Sequence, residues 1–553
     1  MFRIRDWFKT PCGIATCIII INILRALAIG LSLYFLVFKQ TDKSFGGPYK
    51  RETVATDTQE CSEIGEDILK VNGSAVDAAI AAMFCLGVVS MHSSGIGGGG
   101  VMLVYNQTLK KATVIDFRET APATAHPDMF KADVESAKKG GRSIAVPGEV
   151  RGQFNAWKRH GRLPWKRLVQ PAIDLAKNGF KVSKALDDAL KTTKDIKKDV
   201  RNDPGLSELL LVDGTLVEEG DEIKNEKYAT TLEKVRDDPH SFYIGALAKE
   251  IVSDIARVRG EVTDTDLKDY DPVLRDPYQG KILDMKMYLT PPPTSGAVLG
   301  LILNILRGYN MTSSAFQDKK SSVLAYHRII ESFKFSYAWR SLLGDPLFDK
   351  RITERALQML DPKTGNRIRE KIWDAKTHKD VRFGAKYRST TTGIIYNNEM
   401  ADFDIRGHDI VDDISPSEFN LPGSRLRPFS SMCPTILTDN SGIVRLVIGA
   451  SGGKRITTAV SLVLMNKLWF DYDLSKAVNK PRLHSQLVPD QEVFYENNKA
   501  YRIEKYVIEG LKERGHQVDG SDLFAAVQAI SREPGGEIYA KSDPRKHGAP
   551  AGQ

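Results

Sequence analysis

Cysteine is scarce in this chain, with 5 among 553 residues. Together with the 10 histidines, these cysteines form no Cys-x-x-Cys or His-Glu-x-x-His pattern. Protein zinc sites often take their ligands at such short spacings. The sequence therefore predicts no metal site, and nothing in it calls for a cofactor.

Blocks of like charge are also missing. The 78 basic and 70 acidic residues leave a formal net charge of +8, and they are interspersed along the chain. No helix-turn-helix, zinc-knuckle or RNP-like pattern accompanies the small basic excess. A charge distribution of this kind is typical of a solvated surface, so we expect no nucleic-acid partner.

Among apolar runs, one near the N-terminus is long enough to cross a bilayer as a helix. Residues 13–38 read GIATCIIIINILRALAIGLSLYFLVF and are flanked by basic residues on both sides. No small-x-small cleavage site follows, which favours an uncleaved signal-anchor over a removed signal peptide. The sequence thus predicts a cytoplasmic tail at 1–12, a transmembrane helix at 13–38 and a polar stalk at 39–55.

The orientation of this anchor is predicted from glycosylation sequons. Three Asn-x-Ser/Thr sequons follow the hydrophobic run, at Asn72, Asn106 and Asn310. Such acceptors are used on the lumenal side of the secretory pathway. We therefore expect a single-pass type II protein of the plasma membrane or secretory pathway, with its body extracellular or lumenal.

The rest of the chain mixes helical and strand patterns. Ser74 precedes an Ala-rich helical stretch, and a Gly-dense loop at 95–100 is followed by the strand-like runs VMLVY and ATVIDF. The middle, from about 127 to 270, is rich in helix. Ser295 is expected to cap another apolar helix after a Pro-rich loop. Later, the runs TTTGIIY, PTILTD and IVRLVIGA alternate with a helix at about 456–468. This order predicts an α+β or layered α/β body.

A strand, a tight glycine turn and a helix surround the sequence GASGG at 449–453. The backbone N–H groups of such a turn are suited to binding an anion. A Walker phosphate loop is excluded, because Arg455 follows Lys454 where Ser or Thr is required. The same residues match the Gly-x-Ser-x-Gly nucleophile elbow, with Asp490 and His516 in the right order downstream. A serine hydrolase using Ser451 is therefore one alternative.

Several dispersed polar residues together suit an α-amino acid. Glu399 and Asp402 are three residues apart and could hold an ammonium group from one side. Arg118 follows a predicted strand and could bind a carboxylate with its planar fork. Two adjacent hydroxyl donors, Ser430 and Ser431, complete the set.

Eight motifs in chain order carry a family resemblance. They are HSSGIGGGG, DFRETAP, RSIAVPGEVRG, PPPTSGAVLGLILNIL, NNEMADFD, PFSSMCPTI, GASGGKRITTA and SDPRKHGAPAG. Between about residues 50 and 552 the chain resembles the gamma-glutamyltransferase (glutathione hydrolase) family. The resemblance implies the N-terminal-nucleophile hydrolase fold, a four-layer αββα sandwich. It also implies a precursor that cuts itself into large and small subunits, here corresponding to 56–378 and 379–553, and exposes a nucleophilic N-terminal Thr.

The same resemblance assigns roles to residues of this chain. Arg118 would hold the α-carboxylate of the gamma-glutamyl group with help from Ser430 and Ser431, and Glu399 and Asp402 would hold its α-ammonium. The N–H groups of Gly452 and Gly453 would form the oxyanion hole. The family disulfide corresponds to Cys61 and Cys85. The implied partners are glutathione, other gamma-glutamyl compounds, and acceptor amino acids or dipeptides.

One departure from the family pattern concerns the nucleophile. The family has a Thr-led apolar strand, an Asp-Gly turn and a second Thr-rich strand upstream of its NNEM motif. Here DAKTHKDVRF runs directly into GAKYRSTTTGIIYNNEM. Thr377 is followed by Lys-Asp-Val-Arg, which lacks the alternation of a buried strand. We therefore expect no catalytic nucleophile and little or no activity. A further alternative is a non-catalytic membrane ectodomain that binds gamma-glutamyl compounds.

Overall fold

The computed structural model of the chain describes residues 43–193, 195–374, 387–388, 391–392, 394–405, 417–486, 492–522 and 525–553. The chain divides into two units, Met1–Lys43 and the body Ser44–Gln553. None of the helices in the described part combines the length and apolar character needed to span a membrane. The hydrophobic run predicted to do so, at 13–38, lies outside the described residues.

Helices and short strands alternate along the body. The α-helices are Gln59–Lys70, Ala75–Val89, Glu135–Lys138, Glu149–His160, Trp165–Asn178, Lys184–Thr192, Ile196–Asn202, Pro204–Leu210, Glu226–Asp237, Ala246–Arg257, Asp264–Asp269, Gly296–Arg307, Lys319–Arg340, Arg351–Leu360, Pro362–Arg369, Ile456–Leu468, Leu474–Asn479 and Lys505–Glu513. The strands are β1 Phe45–Tyr49, β2 Thr53–Val54, β3 Gly100–Asn106, β4 Lys111–Phe117, β5 Phe180–Lys181, β6 Leu211–Val212, β7 Thr215–Leu216, β8 Glu222–Ile223, β9 Val273–Arg275, β10 Tyr278–Ile282, β11 Met285–Leu289, β12 Tyr387–Arg388, β13 Ile395–Tyr396, β14 Thr435–Thr438, β15 Val444–Ser451, β16 Leu483–His484, β17 Val493–Glu496, β18 Val518–Ser521, β19 Ala526–Arg532, β20 Ile538–Lys541 and β21 Ala551–Gly552.

The larger of two central sheets has seven strands in the order β1-β20-β19-β15-β14-β11-β10. Every neighbouring pair in it is antiparallel. Its middle strand, β15, covers most of the predicted run IVRLVIGA and ends at Ser451, opposite Ala526. The sheet therefore delivers the glycine turn at 452–453 to one of its edges.

The smaller central sheet contains β3, β4 and β9. Strands β3 and β4 pair over their whole length, from Gly100 opposite Phe117 to Asn106 opposite Lys111. They correspond to the predicted runs VMLVY and ATVIDF. Arg118 comes directly after β4, so this sheet positions the predicted carboxylate-binding residue.

The two sheets pack face to face between layers of helix. Ala112 of β4, Tyr288 of β11 and Ile436 of β14 form a small core between them. On its other face the smaller sheet contributes Ile115 and Phe117 to a core shared with helices such as Ala75–Val89 and Trp165–Asn178. The larger sheet shares a second core with the helices Gly296–Arg307 and Ile456–Leu468. This helix–sheet–sheet–helix order is the layered α+β arrangement that was predicted.

Local signals in the sequence have mixed outcomes. Ser74 caps the helix Ala75–Val89 in a reciprocal capping box with Asp77, as expected. Ser295 stands before the helix Gly296–Arg307, but its hydroxyl donates to the Ser430 carbonyl (2.8 Å) and makes no cap. The predicted helix at 456–468 is present with those bounds.

The stalk prediction needs correction. Within 39–55, β1 pairs with β20 at the edge of the seven-stranded sheet, and β2 pairs with β21. Phe45 stacks on Tyr539, with ring centroids 5.8 Å apart. A polar composition with two adjacent glycines, Gly46 and Gly47, suggested an irregular linker, yet edge strands tolerate such residues because one side faces solvent.

Candidate functional site

Arg118 is the centre of the candidate site, and its backbone is fixed from two directions. Its N–H donates to the Asp116 carboxylate (3.1 Å), and its carbonyl accepts from the Tyr270 hydroxyl (3.0 Å). Its Nε donates to the Pro428 carbonyl (3.2 Å). The side chain is only 5% exposed. A buried guanidinium held in this way is pre-oriented for recognition of an anion.

The two terminal nitrogens of Arg118 form ion pairs with the predicted ammonium-binding acids. Nη1 contacts Glu399 and Nη2 contacts Asp402, and both acids lie in a short 3-10 helix. The structure thus brings Arg118 together with two acids that lie more than 280 residues further along the chain. The resemblance assigns them to the two charged groups on one glutamyl α-carbon, and in the structure the arginine pairs with both acids.

A third carboxylate, missed by the sequence reasoning, also faces this arginine. Glu119 Oε2 lies 3.7 Å from Arg118 Nη1, and its side chain is 3% exposed. Gly99 makes room for it, since a Cβ there would come within 2.9 Å of Glu119 Oε2. Arg118 and Glu119 both follow the end of β4 at Phe117, so no strand periodicity predicts that their side chains face each other.

The electrostatics follow from one cation surrounded by three acids. Burial alone would lower the pKa of Arg118, but the charges of Glu399, Asp402 and Glu119 outweigh it and raise the pKa above its ordinary value. Desolvation raises the pKa of Glu399 well above its usual range, against the opposing charge of Arg118. Burial likewise raises the pKa of Glu119. A positive charge added beside Glu399 and Glu119 would therefore favour their ionised forms.

Two asparagines hold the acidic loop in place. Asn397 donates to the carbonyls of Gly97 and Ala145 (both 3.0 Å), and its own oxygen accepts from the Glu399 N–H (2.9 Å). Asn420 donates to the Asp402 carbonyl (2.7 Å). These side-chain amides hold the acidic loop near both of its ends, at Glu399 and at Asp402.

The serine loop lies beside the same arginine. Pro428 contacts Arg118 through its carbonyl, two residues before Ser430. Ser430 and Ser431 are both buried, and the Ser430 hydroxyl accepts from the Met432 N–H (3.2 Å). The structure therefore places both serines on a segment that touches Arg118, as the predicted carboxylate pocket requires.

The glycine turn is linked to this serine loop. Gly452 has φ +132° and Gly453 φ +57°, which favour glycine, and a Cβ on Gly452 would lie 2.5 Å from the Ala525 Cα. The helix that follows begins at Ile456, and its Thr457 hydroxyl donates to the Ser431 carbonyl (3.1 Å). The turn predicted to hold an oxyanion is thereby attached to the loop that borders the arginine.

The serine-hydrolase alternative receives no support from the geometry. His516 Nε2 lies 2.7 Å from His327 Nδ1, and the Ser451 hydroxyl is 3.5 Å from an Asp57 carboxylate oxygen. Asp490, the proposed third member, lies outside the described residues. Of the two glycines in the Gly-x-Ser-x-Gly match, Gly453 has a positive φ that favours glycine, whereas a Cβ on Gly449 would meet no atom within 4 Å.

Two further predictions concern covalent features. Cys61 and Cys85 form a disulfide, the pairing that the resemblance implied, and Cys433 is a buried free cysteine. The three sequon residues predicted to be glycosylated are all exposed, namely Asn72, Asn106 and Asn310. Exposure is a requirement for an acceptor, and their modification stays a prediction.

Comparisons with known proteins agree with this geometry. The family model described as gamma-glutamyltranspeptidase matches residues 61–382 and 380–553. Scoloptoxin SSD14 of Scolopendra dehaani is 36% identical over 550 residues, covering 92% of this chain and 94% of that protein. Glutathione hydrolase 2 of Arabidopsis thaliana is 36% identical over 553 residues, covering 90% and 93%.

Solved structures share the fold. Cephalosporin acylase from Bacillus halodurans superposes with a TM-score of 0.75 at 23% identity, covering 92% of this chain and 98% of its own. Gamma-glutamyltranspeptidase of Helicobacter pylori gives a TM-score of 0.54 at 27% identity, covering 58% and 92%. Given a family match across nearly the whole body and relatives of this identity and coverage, the chain belongs to the gamma-glutamyltranspeptidase family.

Proposed function

We propose that this chain binds gamma-glutamyl compounds such as glutathione in the pocket around Arg118 but is impaired in turning them over. The family cleaves the gamma-glutamyl bond and transfers the glutamyl group to water, amino acids or peptides. The observation that carries the binding half is the buried Arg118 guanidinium facing Glu399 and Asp402. This is a set of charges complementary to the two charges on a glutamyl α-carbon.

Ligand binding at this pocket is an exchange of ion pairs. The α-carboxylate of the ligand would take the place of one acid on the Arg118 fork, and the α-ammonium would occupy the space between Glu399 and Asp402. Asp402 is the more exposed of the two, at 42% against 23% for Glu399. It is therefore the acid that is easier to separate from the arginine. An incoming ammonium would favour the ionised form of Glu399.

The chemistry that follows binding needs an oxyanion site and a nucleophile. The N–H groups at Gly452 and Gly453 are supported as the oxyanion site by the strained turn that only glycine adopts readily. The nucleophile is the missing part. The two family matches meet at residues 380–382, the place where the Thr-led strand of the family pattern is absent from the sequence. A glutamyl group bound in the pocket would therefore have no nucleophile placed to attack it.

The location of the protein is part of the same proposal. The hydrophobic run at 13–38 supports a single membrane anchor, and the exposed sequons at Asn72, Asn106 and Asn310 support an extracellular or lumenal body. The Cys61–Cys85 disulfide is consistent with an oxidising compartment. The pocket would then meet extracellular or lumenal glutathione.

Binding and turnover are tested separately on the purified full-length chain. A denaturing gel reports self-cleavage, and a gamma-glutamyl anilide reports turnover; we expect one band and no release of the anilide product. Titration calorimetry with glutathione then tests the pocket. Arg118→Ala should weaken binding by about 30-fold or more, equivalent to about 2 kcal/mol for truncating one partner of a buried charge pair.

Arg425→Ala is the matched control for that titration. Arg425 also forms an ion pair, with Asp269 at 2.7 Å, but both side chains are largely exposed, at 51% and 38%. We expect its affinity for glutathione to equal that of the unmodified chain. Equal affinities for Arg118→Ala and Arg425→Ala would reject the pocket, whereas two subunit bands with anilide turnover would reject the impairment.

A further inference from the structure

A cluster of metal-ligand side chains lies outside the candidate site, on the long helix Lys319–Arg340. His327, Glu331 and His516 each offer a ligand atom, and these atoms lie within 4.8 Å of one another. All three residues are buried, with relative exposures of 0%, 6% and 3%. Two imidazoles and a carboxylate converging in a buried space suit a borderline divalent ion such as zinc.

The helix itself supplies two of the three groups. His327 and Glu331 are four residues apart, which places them one above the other on a single helical face. The third comes from the turn after the helix Lys505–Glu513, whose Gly510 approaches Val323 so closely that a Cβ would lie 2.7 Å from a Val323 methyl. Since the helices touch at this point, the turn that carries His516 lies against the helix that carries His327.

Hydrogen bonding defines the tautomer of His327. Its Nε2 lies 2.7 Å from the Trp373 carbonyl, and a carbonyl can only accept, so Nε2 carries the proton. In the neutral ring, Nδ1 then presents a lone pair toward His516. A backbone carbonyl on the far nitrogen is the outer-shell arrangement that commonly orients a metal-binding histidine.

His516 completes the geometry. Its Nε2 is 2.7 Å from Nδ1 of His327, with the rings crossing at 74°. Two nitrogens bound to one tetrahedral zinc are about 3.3 Å apart, from Zn–N distances of about 2.0–2.1 Å. The rings would therefore separate by about 0.6 Å as the ion replaces the shared proton, and that proton would move to the other nitrogen of His516. The imidazole stays neutral and the number of protons is unchanged, so the charge added to the site is that of the ion, which the Glu331 carboxylate offsets in part.

We propose that His327, His516 and Glu331 form a buried zinc site that joins the helix Lys319–Arg340 to the turn after Lys505–Glu513. Lys334 lies 3.5 Å from the Glu331 carboxylate and competes for it, so the two imidazoles are the principal ligands. Magnesium is a poor match, because it prefers an octahedral set of oxygen ligands. The short-spacing patterns of the sequence did not reveal this cluster, since His516 is 189 positions from His327.

Metal retention tests the site. The full-length chain, without added affinity histidines, is saturated with zinc chloride, dialysed and analysed for metal. We expect about one retained equivalent in the unmodified chain and at least about a tenfold loss of zinc affinity in His327→Gln and His516→Gln. His484→Gln is the matched control, because His484 is equally buried and bonded to Thr458 and Gln486. It should retain zinc fully, and magnesium chloride should leave nothing bound.

A second measurement covers the case in which a histidine variant fails to fold. X-ray absorption at the zinc edge of the unmodified chain should show nitrogen and oxygen neighbours with imidazole scattering. Sulfur neighbours, pointing to a cysteine, would overturn the assignment. So would the absence of retained zinc in the unmodified chain, or equal retention in His516→Gln and His484→Gln.

Discussion

The two central sheets differ in size and carry different halves of the candidate site. In the described residues the larger sheet has seven strands and ends at the glycine turn, whereas the smaller has three and ends at Arg118. The position of Arg118 depends on Asp116 of β4 and on two residues outside the strands, Tyr270 and Pro428. The binding residues therefore need few strands, whereas the family nucleophile begins a strand, and the sequence of that strand is absent here.

The largest expected effect comes from restoring that strand. We expect that inserting a Thr-led strand, an Asp-Gly turn and a second Thr-rich strand between His378 and Lys379 produces self-cleavage. Turnover of a gamma-glutamyl anilide should rise at least about 10³-fold, since removing the nucleophile of a covalent hydrolase costs more than this. Gel electrophoresis and the anilide assay measure both outcomes.

The matched control for this insertion carries Ala in place of the leading Thr. It adds the same two strands without the nucleophile, so it should gain thermal stability but stay uncleaved. If the chain with the Ala-led insert turns over the anilide as fast as the chain with the Thr-led insert, the missing threonine does not explain the impairment. The difference between the two sheets would then not account for the lack of activity.

Local elements could be predicted from the sequence because their signals are local. The Ser74 capping box depends on residues within one helical turn, and the helix Ile456–Leu468 on an apolar pattern a few turns long. The pairing of Arg118 with Glu399 could not, since no local pattern links residues on separate elements. The family resemblance places these residues in one pocket, but as groups that bind a ligand and not as partners of each other.

The contacts that the sequence does not reveal depend on how separate segments are arranged. Glu119 reaches the arginine because Gly99 leaves space for its carboxylate, and Glu399 and Asp402 approach from an element more than 280 residues away. The sequence of Phe45–Tyr49 predicts a stalk and not a strand, since its pairing partner, Ile538–Lys541, is almost 500 residues away. Non-local pairing of this kind has no signature within the strand itself.

The disulfide provides the next test of the comparison. Cys61 and Cys85 join two helices in the layer that covers the smaller sheet, and they close a loop with a sequence separation of 24. Replacing both by Ser should lower the free energy of unfolding by about 3 kcal/mol, from the lost constraint on the unfolded chain. Urea denaturation under oxidising conditions measures it.

Cys433→Ala is the control on the other side of the sandwich. Cys433 is buried in the core behind the larger sheet and forms no disulfide. Its replacement should cost only about 1 kcal/mol, the usual effect of removing a small buried group. Equal losses for the two changes would mean that the helix layer over the smaller sheet needs no covalent support.

A pH-dependent test concerns Glu149, on a helix packed against the smaller sheet. Burial raises its pKa to about 8, assisted by the charge of Glu119 and opposed by a hydrogen bond from Gln153. Because the folded pKa lies above the unfolded one, its contribution to stability is present at low pH and is lost as pH rises toward 8. Between pH 6 and pH 9 this loss is about 2–3 kcal/mol, at about 1.36 kcal/mol per pH unit.

Glu149→Gln should remove that dependence. The variant and the unmodified chain are compared by thermal unfolding at pH 6 and pH 9, so that all other titrating groups cancel in the difference. The variant should gain stability relative to the parent at pH 9 more than at pH 6. Glu135→Gln, whose carboxylate is 79% exposed, is the control and should show no such change. Parallel pH profiles for Glu149→Gln and its parent would contradict the assignment.

The smallest expected effect returns to the larger sheet and its glycine turn. Gly452→Ala introduces a Cβ at φ +132° and 2.5 Å from the Ala525 Cα, so it should destabilise the fold by about 1–3 kcal/mol. Gly449→Ala, three residues earlier on β15, has no atom within 4 Å of its new Cβ and should change stability by less than about 1 kcal/mol. Urea midpoints of the two variants give the comparison. Equal midpoints for the two variants would mean that the turn is not sterically restricted to glycine. The larger sheet would then not carry a preformed oxyanion turn.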